Sequence, residues 1–161
     1  MNYMSLITAS CVDFSNWSVV LQVSHCIHMC KGCFNESSWH KNAGELFTEE
    51  VYHELLSCAE KPFISNVVLQ GGDPLSPLNY SEMITLCRRL RKDLPNKKIV
   101  LFTGYTYEQL QNDLLRAPIL ETIDFLMDGK FQKDNPTTKP FRGSDNQILH
   151  ELVKGISIKQ S

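Results

Sequence analysis

The chain alternates short, dense apolar runs with longer stretches in which apolar residues return every three or four positions. Ser18–Val23 (Ser-Val-Val-Leu-Gln-Val) reads as a first strand, and Asn66–Gln70 as a short second one ending in Gly71-Gly72. Ile99–Phe102 and Thr122–Met127 read the same way, the latter followed by the turn signal Asp128-Gly129. Between these runs the period lengthens. Thr48–Ala59 starts on a capping-type threonine, carries Glu49 and Glu50 in its first turn, and sets Val51, Leu55 and Ala59 on one face. Asn79 with Glu82 resembles a capping box ahead of the stripe Met83, Leu86, Cys87, Leu90 and Leu94. Thr106 with Gln109 predicts a further helix through Leu115.

Strands alternating with helices of this length predict βαβ units and a mainly parallel α/β sheet. At 161 residues the chain is too short for a full eight-unit barrel of about 250, so the expected fold is an open partial (β/α) barrel. No repeat, low-complexity tract or Gly/Ser/Pro-rich linker divides residues 1–161, which predicts one domain.

Composition narrows the partners. A formal net charge of −2 argues against a nucleic-acid surface held by counterion release. Arg88, Arg89, Arg91, Lys92, Lys97 and Lys98 form the only basic cluster, on one predicted helix and its exit. A solvated helix face explains it better than a phosphate site. Met1–Val12 lacks the basic region of a secretory signal, and no run has the roughly 18 apolar residues of a membrane span. A cytoplasmic location is therefore expected, and with it reduced thiols.

That expectation bears on Cys26-Ile27-His28-Met29-Cys30-Lys31-Gly32-Cys33, which packs three thiols into one loop directly after the first predicted strand. Thiolates are soft ligands suited to iron–sulfur clusters, zinc and copper(I). Gly32 eases the tight path, and the carboxyl end of a strand is where parallel α/β folds place active sites. On residue types alone, a disulfide with a spare thiol, a Cys3His zinc site completed by His25, His28 or His40, and a three-cysteine cluster remain open. Cys58 and Cys87 lie on predicted helices as small apolar groups, so no fourth cysteine is near, which favours a cluster with one open iron. Gly71-Gly72-Asp73-Pro74 permits close backbone approach and offers a carboxylate, although it also suits an ordinary turn.

The Cys-x3-Cys-x2-Cys spacing resembles the signature of radical S-adenosylmethionine enzymes. Beside it, Gly71-Gly72-Asp73 resembles that family's Gly-Gly-Glu motif, with Asp for the commoner Glu. Cys33-Phe34-Asn35, Phe102-Thr103-Gly104-Tyr105, Asp128-Gly129-Lys130-Phe131 and Arg142-Gly143-Ser144-Asp145-Asn146-Gln147 are similar to the set carried by the branch that activates anaerobic ribonucleoside-triphosphate reductases. The resemblance implies one 4Fe-4S cluster on Cys26, Cys30 and Cys33, whose open iron is chelated by S-adenosylmethionine. It implies cofactor contacts from Gly32, Cys33, Phe34, Gly71, Gly72, Asp73 and Lys130, with Asp73 facing the cofactor's ammonium and Lys130 its carboxylate. The implied partners are the large subunit of the anaerobic reductase, which receives a glycyl radical, and a low-potential electron donor such as a flavodoxin. Beyond cluster and cofactor the resemblance implies no catalytic residue. An activase of another glycyl-radical enzyme and a zinc-stabilised binding module are the alternatives. Three departures are evident: Gly32 stands where many relatives have an aromatic, Ser15-Asn16-Trp17-Ser18 replaces a Gly-Pro-Gly loop, and His25 occupies a position usually taken by a small residue.

Overall fold

The computed structural model describes Met1–Ser161. Its eight strands form one sheet. They are β1 (Asn2–Ser10), β2 (Trp17–Val23), β3 (Glu45–Leu46), β4 (Ile64–Gly71), β5 (Lys98–Phe102), β6 (Phe125–Asp128), β7 (Ile148–Val153) and β8 (Ile156–Gln160). The helices are α1 (Glu49–Ala59), α2 (Tyr80–Asp93) and α3 (Tyr107–Gln111). The order across the sheet is β3-β1-β2-β4-β5-β6-β7-β8. Only β2-β4, β4-β5 and β5-β6 pair in parallel. The pairings β1-β2, β1-β3, β6-β7 and β7-β8 are antiparallel.

This overturns the expected mainly parallel, open partial (β/α) barrel. Antiparallel pairings outnumber parallel ones, β3 and β8 lie at opposite edges without meeting, and helix is confined to three short segments. The physical reason lies at the two ends of the chain. β1 folds back onto β2, and β7 and β8 form a hairpin through Lys154 and Gly155, both left-handed (φ 49° and 78°), the geometry of a two-residue turn matched to strand twist. Neither end needs a crossover helix, so the parallel part is limited to the centre.

At that centre both faces are covered, which is why β2, β4 and β5 read as continuous apolar runs. Val19, Leu21, Val67, Leu69, Ile99 and Leu101 join a buried cluster with the helices, including Leu55 of α1 and Met83, Leu86, Cys87 and Leu90 of α2. Their alternates, Val20, Val68 and Val100, turn to the other face. There they meet Phe14 and the half-buried Phe102, Phe125 and Phe141.

One cap expectation changes and one helix ends early. Asn79 does precede α2, but its side chain donates to Ser24 O and Asp73 O instead of capping, and Glu82 accepts from the Met1 ammonium. Thr106 and Gln109 do form a capping box, yet α3 ends at Gln111, short of Leu115. Asp113 turns the chain there by accepting from Leu115 N–H and Arg116 N–H. Four of the six basic residues are engaged by ion pairs and carbonyls: Arg89 with Glu49, Arg91 and Lys98 with Asp124, Lys97 with Lys61 O and Ile64 O. No helix is long and apolar enough to cross a membrane.

Candidate functional site

The cysteine loop leaves the end of β2 and is pinned by its main chain. His25 N–H donates to Ser38 O (2.7 Å) and Cys26 N–H to Trp39 O (3.2 Å). Three left-handed residues, His25 (φ 68°), Met29 (φ 46°) and Gly32 (φ 72°), curl it. Two of them are not glycine, and strain of this kind, about 1–3 kcal/mol per residue, concentrates at functional sites. The unusual His25 is thus explained: the position is left-handed, and His is among the non-glycine residues that tolerate it best. Gly32 lets Cys33 N–H close a turn on Cys30 O (3.0 Å), and Asn35 N–H donates to Cys33 Sγ (3.3 Å).

Cys26 is buried, Cys30 and Cys33 half-buried, and all six cysteines are free thiols. Burial pushes the Cys26 thiol up, against a smaller opposing effect of the His28 and Met29 N–H groups. Burial also pushes Cys30 up, opposed by the Phe131 N–H and the Lys130 charge. Both thiols therefore keep their protons at neutral pH.

All three cysteines line one cleft of about 410 Å³. It opens at the carboxyl ends of the parallel strands, where open α/β sheets place ligands. Gln22 of β2, Gln70 and Gly71 of β4 and Phe102 of β5 supply its floor, followed by Gly72, Thr103 and Gly104. Gly129, Lys130, Phe131, Gly143 and Gln147 form the opposite wall. Seven residues expected at the site therefore share the cleft: Cys26, Cys30, Cys33, Phe34, Gly71, Gly72 and Lys130. Gly32 and Asp73 are not on its surface. Gly32 shapes the turn. Asp73 is buried behind the wall, where His28, Leu75, Thr103 and Gly104 engage its carboxylate.

The two glycines at the head of the cleft are sterically required. A Cβ on Gly71 (φ 116°) would lie 2.5 Å from Val23 O, and one on Gly72 2.7 Å from His25 O. The segment 142–147, left without a role by sequence, braces the Gly129-Lys130 turn. Gln147 Nε2 donates to Gly129 O (3.0 Å), and Asn146 Nδ2 donates to Lys130 O (2.8 Å). Phe34, 86% exposed, sets its ring 5.2 Å from that of Phe131 across the mouth. Tyr105 instead packs on the core and against His28.

Sequence reasoning missed Gln22 and Gln70. They are register partners, oriented by Ser5 and Asp13 respectively. The available signal was a polar residue at the last inward position of two dense apolar strands.

The donor set bears on the ligand alternatives. No three His, Cys, Asp or Glu side chains converge as a cage for one metal ion. His28 Nε2 is bonded to Asp73 and His40 Nδ1 accepts from Asn42 N–H, so each of these histidines presents only its other ring nitrogen. Three soft donors lining one cleft suit an iron–sulfur cluster.

Comparison with known proteins agrees with this geometry. Residues 16–150 match the model of the 4Fe-4S single cluster domain. The chain is 39% identical to the anaerobic ribonucleoside-triphosphate reductase-activating protein of Enterobacteria phage T4, over 97% of each. It is 35% identical to the protein of that name from Pasteurella multocida (strain Pm70), covering 96% of this chain and 99% of the relative. For the Escherichia coli (strain K12) relative the identity is 34%, over 94% and 99%. A matching cluster-domain model over most of the chain and near-complete alignment with these relatives lead to one conclusion: the chain belongs to the 4Fe-4S single cluster domain family and, within it, to the anaerobic ribonucleoside-triphosphate reductase-activating proteins.

Proposed function

We propose that the chain is a radical S-adenosylmethionine activase whose target is the large subunit of an anaerobic ribonucleoside-triphosphate reductase. One observation carries the reading: three free thiols, with no fourth cysteine beside them, face a cleft lined otherwise by glycine main chain, three phenylalanine rings, Lys130 and polar side chains that include Gln22, His28 and Gln70. Cys26, Cys30 and Cys33 would hold three irons, leaving the fourth open. When bound, cluster and S-adenosylmethionine together supply reductive cleavage to methionine and a 5′-deoxyadenosyl radical, which takes a hydrogen atom from a glycine of the reductase.

The protein's own residues bind and exclude. Lys130, whose main chain is braced by the 142–147 segment, carries a positive charge near Cys30, where a carboxylate of the cofactor is attracted and the site's net charge is moderated. Gly71 and Gly72 keep their backbone bare at the head of the cleft, so a ligand approaches the main chain directly. Phe34 and Phe131 stand at the mouth, where they shield the reacting centre from water and meet the incoming segment of the reductase. The electron comes from a low-potential donor such as a flavodoxin, in the cytoplasm.

The decisive experiment mixes anaerobically reconstituted protein with reductant, S-adenosylmethionine and the reductase, and records electron paramagnetic resonance. A doublet on the wild-type reductase, absent when the acceptor glycine is alanine, is the expected result. Cofactor cleavage without that doublet would leave the cluster reading standing and transfer the activity to another glycyl-radical enzyme.

A further inference from the structure

Asp73 has no acceptor capacity left for a cofactor. The side chain is 1% exposed and lies off the cleft surface. Leu75 N–H donates to Oδ1 (2.7 Å), Gly104 N–H to Oδ2 (3.1 Å), and the Thr103 hydroxyl lies 2.9 and 3.0 Å from the two oxygens. His28 Nε2 completes the set, 2.6 Å from Oδ2. An ionised carboxylate offers about four lone-pair sites, and four donors from four residues occupy them. Aspartate is also one methylene shorter than the glutamate implied by the resemblance, which keeps the carboxylate behind the wall.

We propose that Asp73 is a positioning residue that clamps the cysteine loop, through His28, to the tip of β5, and that it does not receive the ammonium of the cofactor. The inference rests on the proposed cluster assignment of Cys26, Cys30 and Cys33. His28 lies midway between Cys26 and Cys30, so its ring sets where both thiols point. That ring is held on three sides. Asp73 anchors Nε2, Tyr105 meets it edge-on at 4.7 Å between centroids, and Gly104 lies so close that a Cβ there would be 2.3 Å from His28 Cδ2. The main chain repeats the connection, since Asp73 N–H donates to His25 O (2.9 Å). A loop strained at His25 and Met29 needs such an external hold to keep one geometry.

The test uses the full chain, reconstituted anaerobically, as wild type, Asp73→Ala, His28→Ala and the double variant. Three quantities are read before any cofactor is added: the rate of iron loss to a ferrous chelator, the electron paramagnetic resonance line shape of the reduced cluster, and its midpoint potential. S-adenosylmethionine is then titrated against the spectrum. Asp73→Ala should lose iron about ten- to a hundredfold faster, the range spanned by one charge-assisted hydrogen bond, with an altered line shape. His28→Ala should do the same, and the double variant should be no worse than either single one, because both remove one link. Affinity for S-adenosylmethionine in the retained clusters should change little. Should Asp73→Ala fail to fold, His28→Ala carries the same test, since it leaves the other three donors to Asp73 in place. The proposal is overturned if Asp73→Ala keeps the wild-type iron-loss rate and spectrum while S-adenosylmethionine binds about tenfold more weakly, if His28→Ala retains iron like the wild type, or if the two effects simply add. A wild-type chain that takes up no cluster would instead sink the proposed function.

Discussion

Replacing Gly71 by alanine separates two reasons for a glycine at the head of the cleft, and Gly129→Ala is its natural control. Both residues are left-handed, at φ 116° and 93°. Forcing alanine into such a conformation costs about 1–3 kcal/mol, partly offset by the roughly 0.4–1 kcal/mol gained from a stiffer unfolded chain. Gly129→Ala carries only that balance, because its nearest neighbour, Asn146 Nδ2, would be 3.6 Å from the new Cβ. A loss of about 1–2 kcal/mol follows. At Gly71 the Cβ would lie 2.5 Å from Val23 O and 2.6 Å from Val23 N. These are backbone atoms of the neighbouring strand, so no side-chain rotation relieves the overlap. β2 and β4 must part locally, which breaks the 2.7 Å bond from Gly72 N–H to Val23 O. With a hydrogen bond worth about 0.5–1.5 kcal/mol and the packing loss added, the total reaches about 3–5 kcal/mol. For a chain of this length each kcal/mol lowers Tm by about 2–4 °C. Gly129→Ala should therefore melt about 2–8 °C below wild type and Gly71→Ala about 6–20 °C below. Circular dichroism melts of the metal-free, reduced proteins measure both. Equal losses at the two positions, within about 0.5 kcal/mol, would refute the steric account of Gly71.

Cys87→Ala should cost about 1 kcal/mol and leave iron content unchanged. Burial holds the Cys87 thiol up to about 12 against an ordinary 9.0, so its stabilising contribution is complete below pH 9 and disappears as the pH rises toward 12, which alkaline denaturation of the pair should reveal. Phe34→Ala should change stability by less than about 0.5 kcal/mol, because the ring is 86% exposed. The same variant should still weaken S-adenosylmethionine binding or radical transfer, and wild-type values for both would remove Phe34 from the site. His25→Gly should be neutral or stabilising by up to about 1 kcal/mol, because it releases left-handed strain, whereas His25→Val should destabilise. Denaturant midpoints that rank the two variants the other way would contradict that account.

What local sequence made legible, and what it hid, follows from the range of the interactions. The α2 stripe and the central strands were readable because burial imposes a short period on the residues themselves. β1 was not, since most of its residues are half-exposed and show no two-residue contrast. The β7-β8 hairpin did carry a signal, a two-residue Lys154-Gly155 turn, but exposed Val153, Ile156 and Ile158 blur the alternation around it. Whether a sheet closes, and which way its edge strands run, depends on pairings between residues far apart in sequence, so the barrel expectation had no local pattern to correct it. The site shows the same division. Residue type and spacing single out Cys26, Cys30 and Cys33 as candidate ligands, because thiol chemistry belongs to each residue alone. A carboxylate beside two glycines reads identically whether it meets an ammonium or a histidine. What separates the two roles for Asp73 is that His28, Leu75, Thr103 and Gly104 converge on it from three segments, and only the fold brings those segments together.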